Sequence, residues 1–130
     1  MRTDIVSVRP DATLGEAVKL LLEHRISGLP VTDENGLLLG VISEFALLAI
    51  TYEPLADRQP VQDHMTKHVI SVTPDTGLKE LADTFILRRI RRLPVTKHGR
   101  LVGMVSRREL LRAAVAAGEP ICHRRAAATS

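Results

Sequence analysis

The chain has no tryptophan, one tyrosine, two phenylalanines and a single cysteine in 130 residues. Platforms for single-stranded nucleic acid are built from stacked aromatic side chains, so Phe45, Tyr52 and Phe85 alone disfavour that function. The lone Cys122 forms no internal disulfide and supplies no thiolate cluster. No apolar run approaches the roughly 18–20 residues of a membrane helix; the longest, such as "LLLGVI", are strand-sized. The opening "MRTDIVSV" lacks the apolar core of a secretory signal. His24, His64, His68, His98 and His123 show no metal-ligand spacing, and neither Gly-x-Ser-x-Gly nor a phosphate-binding glycine loop is present. His64 and His68 do stand at i, i+4, but they flank Met65-Thr66, which belongs to a repeat boundary described below. The expectation is a cytoplasmic protein that is not an enzyme, needs no cofactor and holds no metal.

What is present is ordinary for a folded protein: 45% hydrophobic and 25% charged residues. The length suits one compact domain or two small units sharing a core. The net charge of +3 conceals a polarity, because residues 1–64 carry a net of −5 and residues 65–130 a net of +8. Such a division points to an acidic partner for the second half, or to docking of one half on the other. The densest positive stretch is "RRIRRLPV", residues 88–95.

The chain repeats itself. Residues 4–50 align with residues 68–114 at a shift of 64, which becomes 63 after one deletion in a turn. Ser7/Ser71, Pro10/Pro74, Asp11/Asp75, Leu14/Leu78, Glu16/Glu80, all of Leu-Pro-Val-Thr (29–32 and 93–96), Gly40/Gly103 and Ser43/Ser106 coincide, and Met1 falls on Met65. Each copy predicts strand, helix, strand, strand, helix. "IVSV" and "VISV" are short β-rich runs halted by proline. Leu14, Ala17, Val18, Leu21 and Leu22, matched by Leu78, Leu81, Ala82, Phe85 and Ile86, have helical period. Thr13 and Glu16 have capping-box spacing. "LPVT" opens a strand, "DENG" and "KHG" are hairpin turns, and "EFALLAI" and "RRELLRAAVAA" are closing helices. The fold class is α+β (mixed α/β), with two βαββα units packed together because one alone is too small to bury both faces of its sheet. Residues 51–67 carry two prolines and a helical turn is expected over 61–65.

The order Met-Thr, Ser-Val-x-Pro-Asp, Leu-Pro-Val, turn glycine, Gly-h-h-Ser (h apolar), occurring twice, resembles a tandem pair of cystathionine-β-synthase (CBS) domains, the Bateman module. The resemblance covers about 110 residues and places repeat one at 1–52, a linker at 53–64, repeat two at 65–118 and a mobile tail at 119–130. It implies a pseudo-twofold module that commonly dimerises, with two clefts between the repeats. Those clefts often take AMP, ADP, ATP or S-adenosylmethionine, and such modules usually regulate another protein.

In nucleotide-binding members of the family the signature is Gly-h-x-Ser/Thr-x-x-Asp, whose acid accepts from the ribose hydroxyls. Repeat two has Ser106 and Glu109 at these positions, whereas repeat one has Ser43 and Ala46. At most one competent site per chain is therefore expected, the one built around Glu109. Ser106-x-x-Glu109 is also a capping box, which would account for both residues without a ligand. In members that sense phosphates, basic residues just before Leu-Pro-Val contact them. Arg91 and Arg92 match that place, and repeat one has Ser27-Gly28 there. Guanidinium stays charged and bonds phosphate oxygens in pairs. The alternative is a solvated edge, with Arg88 and Arg92 on one helical face and Ile90 turned inward. The resemblance puts the base against Val69, Ile70, Ser71 and the Leu93-Pro94 start of the strand. Arg107 and Arg108 fall at a helix start, facing either phosphate or solvent.

Acid and arginines occur together in one repeat and are both missing from the other. This correlation favours an adenine-nucleotide sensor, and the resemblance implies that it acts as a homodimer on a regulated protein that the sequence does not identify. Two alternatives remain open: a structural dimerisation module without ligand, and non-specific nucleic-acid binding through the basic half.

Overall fold

In a computed structural model, residues 5–117 are described. The expected tail at 119–130, with Cys122, and the Met1 counterpart of Met65 lie outside the described residues. The described chain forms two compact units, one spanning Val6–Val69 and the other comprising Ile5 and residues 70–117.

The first unit begins with helix α1, Leu14–His24. Its capping box is formed: the Glu16 N–H donates to Thr13 Oγ1 at 3.2 Å and the Thr13 N–H to Glu16 Oε2 at 3.4 Å. Leu14, Ala17 and Leu21 are its buried stripe. The helix stops at Arg25, which takes the left-handed conformation with φ 53°. A β-carbon there costs roughly 1–2 kcal/mol, part of which glycine returns as unfolded-state entropy. Arg25→Gly is therefore expected to stabilise the protein by about 0.5–1 kcal/mol, read as a raised urea midpoint at unchanged slope. Strands β1, Gly28–Thr32, and β2, Leu38–Ser43, pair antiparallel. Their turn is held by the Asp33 carboxylate, which accepts from the N–H groups of Asn35 (2.8 Å) and Leu37 (3.0 Å). The expected closing helix is a single α-helical turn, α2 at Glu44–Leu47, continued by a 3₁₀ turn over Leu48–Thr51. Thr51 Oγ1 donates to the Leu48 carbonyl at 2.7 Å, a local bond that competes with continuation of the α-helix.

The second unit repeats the plan with helix α3, Leu78–Arg88, strands β3, Arg92–Lys97, and β4, Arg100–Ser106, and helix α4, Arg107–Ala117. Positive φ at His98 (54°) and Gly99 (80°) suits the two-residue turn between β3 and β4. Its core is Val72, Leu78, Leu81, Phe85, Leu93, Val95, Val105 and Leu110.

The mixed α/β class is as read from the sequence, but the opening strands are not. "IVSV" and "VISV" contribute one parallel bridge each, Val8↔Val31 and Val72↔Val95. Val8 donates to the Pro30 carbonyl (3.0 Å) and accepts from Thr32 (3.0 Å); Val72 donates to Pro94 (3.0 Å) and accepts from Thr96 (2.7 Å). A parallel ladder extended either way would need an N–H from Pro30 or Pro10, or from Pro94 or Pro74, and proline has none. The prolines thus reduce each strand to one bridge.

Residues 53–64, expected as a linker, fold onto the first unit. Leu14 donates to the Gln59 carbonyl (2.9 Å), Val61 to Ala12 (2.8 Å) and Gln62 to Pro10 (2.9 Å), with Ala56 and Val61 buried. The helical turn expected over 61–65 is a 3₁₀ turn at Val61–Asp63.

Candidate functional site

The β3–β4 register places Arg92 opposite Ser106. One residue further out, the Arg107 N–H donates to the Arg91 carbonyl at 3.2 Å. The arginines that follow α3 and the Ser-x-x-Glu run that opens α4 therefore share one corner of the second unit, although they are distant in sequence. The run is not a single helix. α3 ends at Arg88, Arg89 turns left-handed with φ 51°, and Arg92 starts β3. Arg88 and Arg92 consequently share no helical face, correcting the i, i+4 expectation, while Ile90 does pack against the core.

The Glu109 N–H donates to Ser106 Oγ at 3.1 Å. In the first unit, the Ala46 N–H donates to Ser43 Oγ at 3.3 Å. The serine caps a helix in both repeats, so capping accounts for the serines. Repeat one caps its helix with alanine at the acid's place, so the serine cap forms without an acid there. Glu109 is half-buried, and an open pocket of about 400 Å³ is lined by Ser106, Arg108, Glu109 and Arg112. Its rim carries two guanidinium groups and one carboxylate, which suits a ligand with both hydroxyls and negative charge.

The remaining expected residues are placed unevenly. Leu93 is fully buried in the core and Pro94 is buried, with its carbonyl engaged by Val72. The Leu93 side chain is thus withdrawn into the core, and its backbone lies in the ladder opposite Val105. Ile70 and Ser71 are exposed and lead into Val72, beside β3, whereas Val69 is half-buried and closes the first compact unit. Arg112 was not singled out from sequence. Its signal is helical spacing, since it stands at i+4 from Arg108 and i+3 from Glu109 on α4. Among the described residues, no three His, Cys, Asp or Glu side chains are grouped to hold a metal ion, and no helix is long and apolar enough to cross a membrane.

Residues 1–52 and 61–116 each match the family model described as the CBS domain. The chain belongs to the CBS-domain family. Solved CBS-pair structures superpose well. CBSX2 from Arabidopsis thaliana, whose crystal structure in complex with AMP is known, is 33% identical with a TM-score of 0.80, covering 91% of this chain and 93% of that one. A putative acetoin utilization protein (AcuB) from Vibrio cholerae is 31% identical with a TM-score of 0.81, covering 92% and 94%. An inosine-5'-monophosphate dehydrogenase from Methanocaldococcus jannaschii is 34% identical over 110 residues, 84% of this chain but only 21% of the enzyme. The uncharacterized protein MJ1225 of the same organism is 27% identical over 86% of this chain and 40% of its own length. The chain thus spans less than half of the length of these two relatives. The two CBS repeats together form a Bateman module.

Proposed function

We propose that this CBS pair is a regulatory module that binds an adenosine-containing nucleotide at the Arg91–Arg92, Ser106 and Glu109 corner of its second repeat. The observation that supports the reading is that the β3–β4 register sets Arg92 opposite Ser106, which lines an open pocket with Glu109, while the arginines and the acid are both peculiar to repeat two. Glu109 accepts from the ribose hydroxyls and the guanidinium groups bond phosphate oxygens. Support comes from the AMP complex of CBSX2, which shares the fold at 33% identity. The module acts as a homodimer and modulates a partner protein by binding its ligand more tightly in one arrangement than in the other; it performs no chemistry of its own.

Titration calorimetry with AMP, ADP, ATP and S-adenosylmethionine tests this. One nucleotide per chain is expected, and Glu109→Ala is expected to weaken binding by about thirtyfold, corresponding to about 2 kcal/mol for lost charge-assisted hydrogen bonds. No binding tighter than about millimolar, near −4 kcal/mol, would leave a dimerisation module without ligand. Binding that ignores the base and vanishes with salt would indicate a phosphate-backbone binder instead.

A further inference from the structure

Residues 53–64 are held on the first unit by three backbone hydrogen bonds, from Leu14 to the Gln59 carbonyl, from Val61 to Ala12 and from Gln62 to Pro10. Leu78, Thr76 and Pro74 stand at the corresponding positions of the second unit. Among the described residues, the Leu78 N–H meets no acceptor, and the Thr76 and Pro74 carbonyls meet no donor. Leu78 is nonetheless fully buried, and a buried N–H left without an acceptor is costly. Gly77, unlike Thr13, contributes no side-chain cap. The second unit thus has the docking edge of the first, with no described residue on it.

The sequence holds a second copy of the segment that occupies this edge in the first unit. Glu53-Pro54-Leu55-Ala56-Asp57-Arg58 is matched by Glu119-Pro120-Ile121-Cys122-His123-Arg124, with Glu, Pro and Arg identical. The offset is 66, three more than the 63 that relates the closing helices. The difference lies in α4, which with 11 residues is three longer than α2 and its 3₁₀ continuation together. A single residue, Tyr52 or Gly118, therefore separates each closing helix from its Glu-Pro. Ala56 is buried where the 3₁₀ turn Ala56–Arg58 packs on α1 and on the 3₁₀ continuation of α2. Its counterpart is Cys122, and a thiol is buried as readily as a small apolar group.

We infer that residues 119–128 strap the second unit as residues 53–62 strap the first, in place of the mobile tail expected there. The offset of 66 brings the Arg125 carbonyl to the Leu78 N–H, and the Ala127 and Ala128 N–H groups to the Thr76 and Pro74 carbonyls. Two local differences shape the fit. Leu55 turns left-handed with φ 64°, a conformation that β-branched Ile121 resists, and Gly118 supplies the turn instead. Lys79 stands where an added β-carbon on Gly15 would lie 3.3 Å from the Asp57 carbonyl oxygen, so the strap sits a few tenths of an ångström further out at His123. Such a strap braces α4 against α3, and α4 carries Arg108, Glu109 and Arg112, three of the four residues that line the pocket. The tail is then a conformational control on the pocket helix.

Two measurements on the full chain test the strap, and neither needs a nucleotide, so it is decided separately from the proposed ligand. In the unaltered protein, Cys122 is expected to react with an aromatic disulfide reagent about tenfold more slowly than in urea, because the thiol is reached only on local opening. Reaction at the rate of the unfolded chain would overturn the inference. The second measurement locates the tail. In a Cys122→Ala background, Lys79→Cys with His123→Cys is oxidised by glutathione disulfide alongside Arg88→Cys with His123→Cys. Positions 79 and 88 are both exposed and lie about 13 Å apart along α3. At the place of the first pair in repeat one, an added β-carbon on Gly15 would lie 3.4 Å from that of Asp57, close to disulfide spacing. The pair at 79 is expected to close about tenfold faster than the pair at 88, since an unattached tail would close both loops at similar rates. Equal rates would show that the tail is unattached, and faster closure at 88 would show that it docks elsewhere. Either result would overturn the strap.

Discussion

Gly40→Val is expected to be strongly destabilising, costing about 3–4 kcal/mol. A β-carbon at Gly40 would sit 2.6 Å from the Thr66 carbonyl oxygen and 2.9 Å from Met65 Sδ. The sulfur ends a flexible side chain and can move. The carbonyl cannot, because Val41 and Thr66 exchange two backbone hydrogen bonds, the Val41 N–H donating at 3.0 Å and the Thr66 N–H at 2.8 Å. Relief requires breaking that bridge, which exposes the outer edge of β2. Against a total stability on the order of 5–15 kcal/mol, such a loss would lower the urea midpoint by a large fraction. Gly28→Ala is the matched control. Its β-carbon would lie 3.4 Å from the Ile42 carbonyl oxygen, an ordinary contact, and a change within about 0.5 kcal/mol is expected. Equal midpoints for the two variants would show that the Thr66 crossing is not rigid.

The repeat alignment made this glycine visible without giving its reason. Gly40 and Gly103 stood out because they coincide, but the sequence does not say that a segment more than twenty positions downstream crosses over Gly40. Local pattern was the most legible feature: the Thr13–Glu16 cap and the Leu14, Ala17, Leu21 stripe are formed as read. The opening strands were not legible because β propensity does not report which N–H groups a parallel ladder needs, and Pro10 and Pro30 lack them. The shared helical face offered as the alternative for Arg88 and Arg92 fails because Arg89 takes a left-handed conformation usually signalled by glycine. At the candidate site, residue types were legible from the twin repeat, but neighbourhood was not. That Arg92 faces Ser106 follows from hairpin register, and register depends on the turn at His98-Gly99.

If side chains alone separate the repeats, the proposed nucleotide site can be moved. Repeat one has the same backbone arrangement: Gly28 stands opposite Ser43, the Glu44 N–H donates to the Ser27 carbonyl at 2.9 Å, and Ser43 caps α2. Ser27→Arg, Gly28→Arg and Ala46→Glu together are expected to raise nucleotide stoichiometry from one to two per chain. The Gly28 position has room, since the nearest atom to an added β-carbon is at 3.4 Å. The Ser43 cap is retained, because it accepts from the backbone N–H at position 46 and not from the side chain. The new site would be the weaker of the two, as Glu44 and Phe45 stand where repeat two has Arg107 and Arg108, and Glu44 repels phosphate. Calorimetry separates the outcomes. Two unequal sites in the triple variant, with the second lost on reverting position 46 to alanine, would show that acid and arginine are sufficient on this backbone. A stoichiometry that stays at one in a folded triple variant would mean that acid and arginines are not sufficient on this backbone, and that Arg107, Arg108 or the longer α4 contribute to binding in repeat two.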